Sequence, residues 1–308
     1  MDAAPPRSRW LSSLLDHVRE HSVTAAGLGL ALLGVITLLA QGVSDIFSGN
    51  APLGLKLALA GGTVAFAATA VGALPALAMR EMAQRMEDML LGFSAGMMLA
   101  ASAFSLLLPG LASGAATLGS RPLGAAVVVI GMALGVLLML GLDQFTPHEH
   151  DKRGPCGPGH ADCGRMWLFV FAIALHNLPE GMAIGTSFAQ GDLGVGLPLT
   201  TAIALQDIPE GLAVALALRG TGFTAPRAVL VAAASGLLEP LGALIGVGLS
   251  SGLAIAYPVG LGLAAGAMIF VVSHEVIPET HRNGHQTPAT IGLMTGFAIM
   301  MTLDTTLG

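Results

Sequence analysis

The sequence predicts an all-α, polytopic membrane protein, and three observations carry that reading. The first is composition. Of 308 residues, 54% are hydrophobic and only 10% charged, and the mean hydropathy is +0.76; soluble domains carry about 25% charged residues. The second is a series of apolar stretches of the length a bilayer demands, since a hydrocarbon core about 30 Å thick takes roughly 20 helical residues. The third is the placement of basic side chains, which gather on one side once those stretches are threaded through a membrane.

Nine candidate spans follow in order, at about 24–48, 53–79, 87–111, 122–144, 166–190, 195–218, 227–250, 253–273 and 287–306. They are rich in Ala, Gly and Leu, and aromatics make up only 5% of the chain, a composition that favours helices packed closely through small residues. The first span is too long for a signal-peptide core and lacks a clear A-x-A cleavage site, so 24–48 is expected to be retained, preceded by a cytoplasmic segment, 1–23. Connections are short except for 145–165, "FTPHEHDKRGPCGPGHADCGR", which is polar and rich in Gly, Pro and His. With the N-terminus in the cytoplasm, that side receives Arg7, Arg9, Arg19, Arg80, Arg85, Lys152, Arg153, Arg165, Arg219, Arg227 and Arg282. The far side keeps Lys56 and Arg121. Eleven against two fixes the orientation and supports an odd number of spans.

The net charge of −6 sits in short loops, and no aromatic-interleaved basic cluster suggests nucleic acid. Membrane lipid is the expected macromolecular surroundings. Cys156 and Cys163 lie in the single long loop and form no disulfide framework. With His160 they give C-x3-H-x2-C, which matches no defined zinc module. The loop is read as solvated, with both thiols reduced.

Chemistry concentrates in two related stretches, "ALHNLPEGMA" at 174–183 and "ALQDIPEGLA" at 204–213. An ionisable group inside a span is costly unless paired or hydrated, and here several recur at helical spacing. His176 and Glu180 stand four apart, as do Gln206 and Glu210; Asn177 and Glu180 stand three apart, as do Asp207 and Glu210. Pro179 and Pro209 each precede the glutamate and free a carbonyl of the preceding turn. In an antiparallel hairpin turning near 191–194, Glu180 lies level with Asp207 and Asn177 level with Glu210. Both glutamates then lie roughly 20–25 Å from the apex, well inside the membrane. "GLLEP" adds Glu239 near the centre of the span 227–250. Four carboxylates in one small volume cannot all ionise without protons or a cation. One imidazole with several carboxylate and amide oxygens suits a borderline dication such as zinc, with weak discrimination from manganese, iron or cadmium.

At these residues the sequence resembles the ZIP (Zrt/Irt-like) family of divalent metal transporters. "HNLPEG" and "QDIPEG" on consecutive helices are similar to the signature of its GufA-like bacterial branch, and the resemblance covers roughly 53–308. It implies a homodimer in the bacterial inner membrane, where the nine-span orientation read from the basic residues puts the C-terminus in the periplasm. It also implies an eight-helix core with inverted 3+2+3 repeat organisation, to which 24–48 adds one N-terminal transmembrane helix. The central hairpin would hold a binuclear centre. By motif position His176, Glu180, Gln206 and Glu210 resemble the ligands of its first site. Asn177, Glu180, Asp207, Glu210 and Glu239 resemble those of its second, with both glutamates bridging. The branch also implies a methionine of the second core helix near the first site; Met98, in a stripe with Ser102 and Ser105, is the candidate. Many eukaryotic members carry histidine where this chain has Gln206, a departure that softens the expected preference for zinc.

Polar residues near the span ends complete the expectation. On the cytoplasmic side Asp143, His274, Glu275 and His285 are expected to form an exit vestibule that binds departing metal weakly. Asp304, near the end of the last span, is the candidate entrance residue. No H-E-x-x-H pair occurs and the carboxylates are too many for a catalytic zinc with an open position, so a transporter of dications is expected rather than an intramembrane metalloenzyme. No organic cofactor is expected.

Overall fold

The computed structural model describes residues 14–79, 81–145, 148–150, 154–156, 165–220 and 222–307. Among them the chain is almost wholly helical. The long helices are Ser22–Phe47 (α1), Leu53–Leu77 (α2), Gln84–Leu118 (α3), Arg121–Phe145 (α4) and Arg165–Ser187 (α5). Leu193–Gly220 (α6), Ala225–Ser250 (α7), Ala256–His281 (α8) and Gln286–Leu307 (α9) follow. Eight are long and apolar enough to cross a membrane; α5, at 23 residues, runs among them and carries the first hexapeptide. The protein is a multi-pass membrane protein, as its composition predicts. The long connection is not irregular throughout. His148–His150 (β1) pairs antiparallel with Gly154–Cys156 (β2), while His160 and Cys163 lie outside the described residues.

Four helices depart from regular α geometry: α2 tightens into a 3₁₀ turn at Leu74–Leu77, which carries Pro75, and three others change within their length. In α3 a π-helical segment, Ser102–Leu107, stands just before Pro109; in α8 another, Val272–Val276, stands just before Pro278. A proline inside a helix lacks the N–H and crowds the carbonyl four residues back, and a π turn accommodates that insertion. In α7 the helix breaks at Gly236–Leu237 and resumes at Leu238, which places Glu239 in the first turn of the resumed half. By contrast Pro179, Pro198 and Pro209 are carried inside continuous helices.

Small residues set the packing, and they sort the core into two groups of four. In the first, α5 packs on α7 and α6 on α2, with α2 and α7 also in contact; in the second, α3 packs on α9 and α4 on α8. A Cβ added at Gly185 would lie 2.0 Å from the Ala243 carbonyl oxygen, and one at Gly96 1.9 Å from that of Leu293. Gly72 against Ile208 and Gly135 against Leu263 repeat the relation at 2.1 Å each. Backbone thus meets backbone in all four pairs, the contact that small residues permit in apolar surroundings. The two hexapeptide helices therefore do not form a self-contained hairpin, because each is closest to a different neighbour. Outside both groups, α1 buries only Gly42, which faces Leu55 and Leu244, while Leu38 reaches Gly248. Leu28 and Thr24 reach Gly141 of α4, and most of the remaining surface is exposed and apolar, as suits a helix facing lipid.

Candidate metal centre

Glu180 is fully buried on α5, and Asp207 is buried opposite it on α6. Glu210 follows one turn after Asp207 and is half-buried. One carboxylate oxygen from each of these three lies within 4.8 Å of the others. This is the convergence predicted from the spacing of the two hexapeptides. Gln206, also fully buried, donates its side-chain N–H to Oε1 of Glu180 and so ties the two helices together. Its own Oε1 has no hydrogen-bond partner among the described residues, nor have Oε2 of Glu180, Oδ2 of Asp207 and Oε2 of Glu239. Buried acceptors without donors cost about 1–3 kcal/mol each, more when charged. The arrangement is poor for a closed protein core and well suited to cations.

Glu239 reaches the same region from the break in α7. Its backbone abuts Gly181, where an added Cβ would lie 2.1 Å from the Glu239 carbonyl oxygen. That contact sets Glu239 directly beside Glu180 in the fold. The hydroxyl of Thr69 on α2 donates to Oε1 of Glu239 at 2.7 Å. Asn177, buried one turn before Glu180, donates to the Ser235 hydroxyl at 3.5 Å. His176 precedes it on the same helix and is half-buried; its ring and Glu239 fall outside the 4.8 Å set. Met98 is buried on α3. One turn earlier Ser94 donates to the backbone carbonyl of Gln206 at 3.4 Å, which docks α3 on α6 next to the carboxylates.

Thr69, Ser94 and Ser235 were not legible as site residues. A lone hydroxyl in an apolar helix can satisfy itself on the carbonyl four residues back, as Thr69 also does with Ala65 at 3.3 Å. The only hint was a polar atom within an otherwise apolar span.

At the other proposed stations the structure refines the sequence reading. Asp143, His274 and Glu275 come together with ligand atoms within 4.8 Å, and His274 Nε2 stands 3.8 Å from Asp143 Oδ2. The π segment of α8 carries both His274 and Glu275. His285 does not join them. It pairs instead with Asp88 at 2.8 Å, where Asn283 and Gln84 also donate to the same carboxylate. Asp88 is buried on the first turns of α3 and needs those donors, which is the physical reason His285 turns away from the vestibule. Asp304 is not alone either, since the Ser105 hydroxyl donates to its Oδ1 at 2.6 Å. Ser102, one turn after Met98 and also buried, donates back to the Met98 carbonyl at 2.8 Å.

Comparison of the sequence with known proteins matches it to a family. Residues 143–304 fit the sequence profile described as the ZIP zinc transporter family. The chain is 61% identical to zinc transporter ZIPB of Bordetella bronchiseptica over 306 residues, covering 99% of this chain and 98% of that protein. It is 41% identical to zinc transporter GufA of Myxococcus xanthus over 83% of this chain and 99% of that one. Human zinc transporter ZIP11 is similar at 29% identity over 87% of this chain and 99% of its own. With its paired hexapeptides, converging carboxylates and near full-length similarity, the chain belongs to the ZIP family.

Proposed function

We propose that the protein carries zinc, and less selectively cadmium, iron or manganese, across the bacterial inner membrane into the cytoplasm. The observation that carries this reading is the set of carboxylates from Glu180, Asp207 and Glu210 within 4.8 Å, ringed by buried acceptors that lack donors. The relatives' names, all zinc transporters, support zinc as the cargo. On this reading the site is binuclear. His176, Glu180, Gln206 and Glu210, with Met98 nearby, hold one ion; Asn177, Glu180, Asp207, Glu210 and Glu239 hold the other. Oxygen-rich ligation with one imidazole binds zinc and releases it readily, since no thiolate locks it in place.

Metal enters past Asp304, binds at mid-depth, and leaves past Asp143, His274 and Glu275. The moving body we infer is the whole group of α2, α5, α6 and α7, because glycine-to-backbone contacts join α5 to α7 and α6 to α2. Rocking or sliding of one such group against the other is the common scheme for transporters built from repeats. The inverted repeat gains support from matched details. The π segment before a proline recurs in the second helix of each triad, α3 and α8, and the α3–α9 pair is mirrored by α8–α4. The N-terminus is assigned to the cytoplasm, the C-terminus to the periplasm, and a homodimer is the assembly. Zinc uptake into proteoliposomes tests the core of the proposal. Wild type is expected to accumulate zinc and Glu180→Ala with Glu210→Ala is not; uptake that survives both substitutions would refute the site.

A further inference from the structure

A second group of metal-binding side chains lies far along the chain from the paired hexapeptides. In "HVREH", residues 17–21, two imidazoles stand four apart and a glutamate directly precedes the second. A helix over 14–20 meets α1 at His21, whose φ of −117° and ψ of 45° mark the junction; the His21 N–H donates to the His17 carbonyl at 3.0 Å and the Ala25 N–H to that of His21 at 2.9 Å across it. His17, Glu20 and His21 thus share one face, and one ligand atom from each lies within 4.8 Å of the others. The two rings are 4.5 Å apart, and Phe145 walls them off, with its centroid 4.9 Å from that of His17 and 6.5 Å from that of His21.

What raises this cluster above a surface coincidence is Gln144. The Nε2–H of His17 donates to the backbone carbonyl of Gln144 at 2.9 Å, and the side-chain amide of Gln144 meets His21 Nδ1 at 3.0 Å. An imidazole whose one nitrogen donates to a carbonyl keeps the other as a lone-pair donor, the arrangement that metal-binding histidines show. As it stands the Gln144 Nε2–H donates to His21 Nδ1; a half-turn of that amide brings its oxygen to Nδ1–H and leaves Nε2 to the metal. Two imidazoles and a carboxylate, with a fourth position open to water, make a ligand set suited to zinc.

We propose that His17, Glu20 and His21 form a further divalent-metal site, suited to zinc, that clips the helical stretch 14–20, just before α1, to the end of α4 beside Asp143. The site lies one residue in sequence from the Asp143–His274–Glu275 cluster, on the side assigned to the cytoplasm. Metal held there reinforces the contacts to α4 that this end of the chain makes through Gln144, the Phe145 ring and Leu28 against Gly141.

Zinc binding to the full chain in nanodiscs tests this, read as equivalents bound per chain after equilibration against a buffered zinc series. His17→Ala with His21→Ala is expected to lose one equivalent, whereas Glu180→Ala with Glu210→Ala keeps that equivalent and loses zinc elsewhere. Gln144→Leu is expected to weaken the same equivalent by roughly tenfold, the cost typical of removing an outer hydrogen-bond partner. The zinc that His17→Ala/His21→Ala retains at the buried carboxylates reports that it is folded. If that variant binds the same number of equivalents at the same affinity as wild type, the proposal is wrong. Should the Glu180→Ala/Glu210→Ala protein instead keep its full complement, the buried centre fails while the N-terminal site stands.

Discussion

The side-chain amide of Gln206 on α6 donates to Oε1 of Glu180 on α5, and its own oxygen has no donor among the described residues. A histidine here would hold Glu180 less evenly but would offer the cation a nitrogen in place of an amide oxygen. Imidazole favours zinc over manganese more than oxygen ligands do. Gln206→His is therefore expected to raise the ratio of zinc to manganese uptake by about tenfold, equivalent to about 1.4 kcal/mol of differential binding. Competition of each metal against labelled zinc in proteoliposomes measures it, and an unchanged ratio would remove Gln206 from the ligand set.

Thr69 bears on the cost of keeping the site without metal. Its hydroxyl donates at 2.7 Å to Glu239, whose other oxygen has no partner among the described residues. Thr69→Val keeps the shape and deletes the donor, so the metal-free protein is expected to lose about 1–3 kcal/mol of stability. Zinc supplies a new partner for that carboxylate and should restore part of the loss. The rise in melting temperature on adding zinc is thus expected to be larger for Thr69→Val than for wild type. Equal rises would mean that Glu239 does not meet the metal.

Much of this site was written in the spacing of the two hexapeptides. Glu180, Asp207 and Glu210 could be brought together on paper because intramembrane carboxylates are rare and helical periodicity is strict. The partners that complete the site were hidden. Thr69 acts through α2, a contact that depends on Gly72 and Gly211 letting α2 and α6 touch, and no local pattern announces it. The π turns of α3 and α8 were hidden too, since the extra residue they insert changes the helix phase without a mark in the local pattern. His285 was grouped by proximity in sequence to His274, yet the buried Asp88, nearly 200 positions away, holds it. Long-range pairs between spans follow from packing, which a single span does not encode.

Gly181 offers a test of how the fold aims Glu239. A methyl group there would meet the Glu239 backbone, with its carbonyl oxygen at 2.1 Å and Cα at 2.7 Å. Gly181→Ala must push α5 and α7 apart at the level of the carboxylates, at a cost typical of overpacking, about 1–3 kcal/mol. Uptake is expected to fall at least tenfold, because misplacing ligands by an ångström is severe for a multidentate site. Gly27→Ala on α1 is the control. Nothing lies within 4 Å of the added methyl, so activity should hold and helix stability should rise slightly, by roughly 0.5–1 kcal/mol.

Asp304 and Ser105 provide the test at the proposed entrance. Asp304 lies in the last turns of α9, half-buried, and the Ser105 hydroxyl on the π turn of α3 holds one of its oxygens at 2.6 Å. A carboxylate fixed this way attracts cations to the mouth without having to bind them tightly, since the field acts on arrival. Asp304→Asn keeps the size and the bond to Ser105 but removes the charge. It is expected to raise the KM for zinc uptake severalfold while leaving the maximal rate near that of wild type. Because the field of a half-exposed carboxylate is screened beyond about 10 Å at 0.1 M ionic strength, the gap between the two proteins should narrow as salt is added. A change confined to the maximal rate, or one insensitive to salt, would instead assign Asp304 to the packing of α9 against α3.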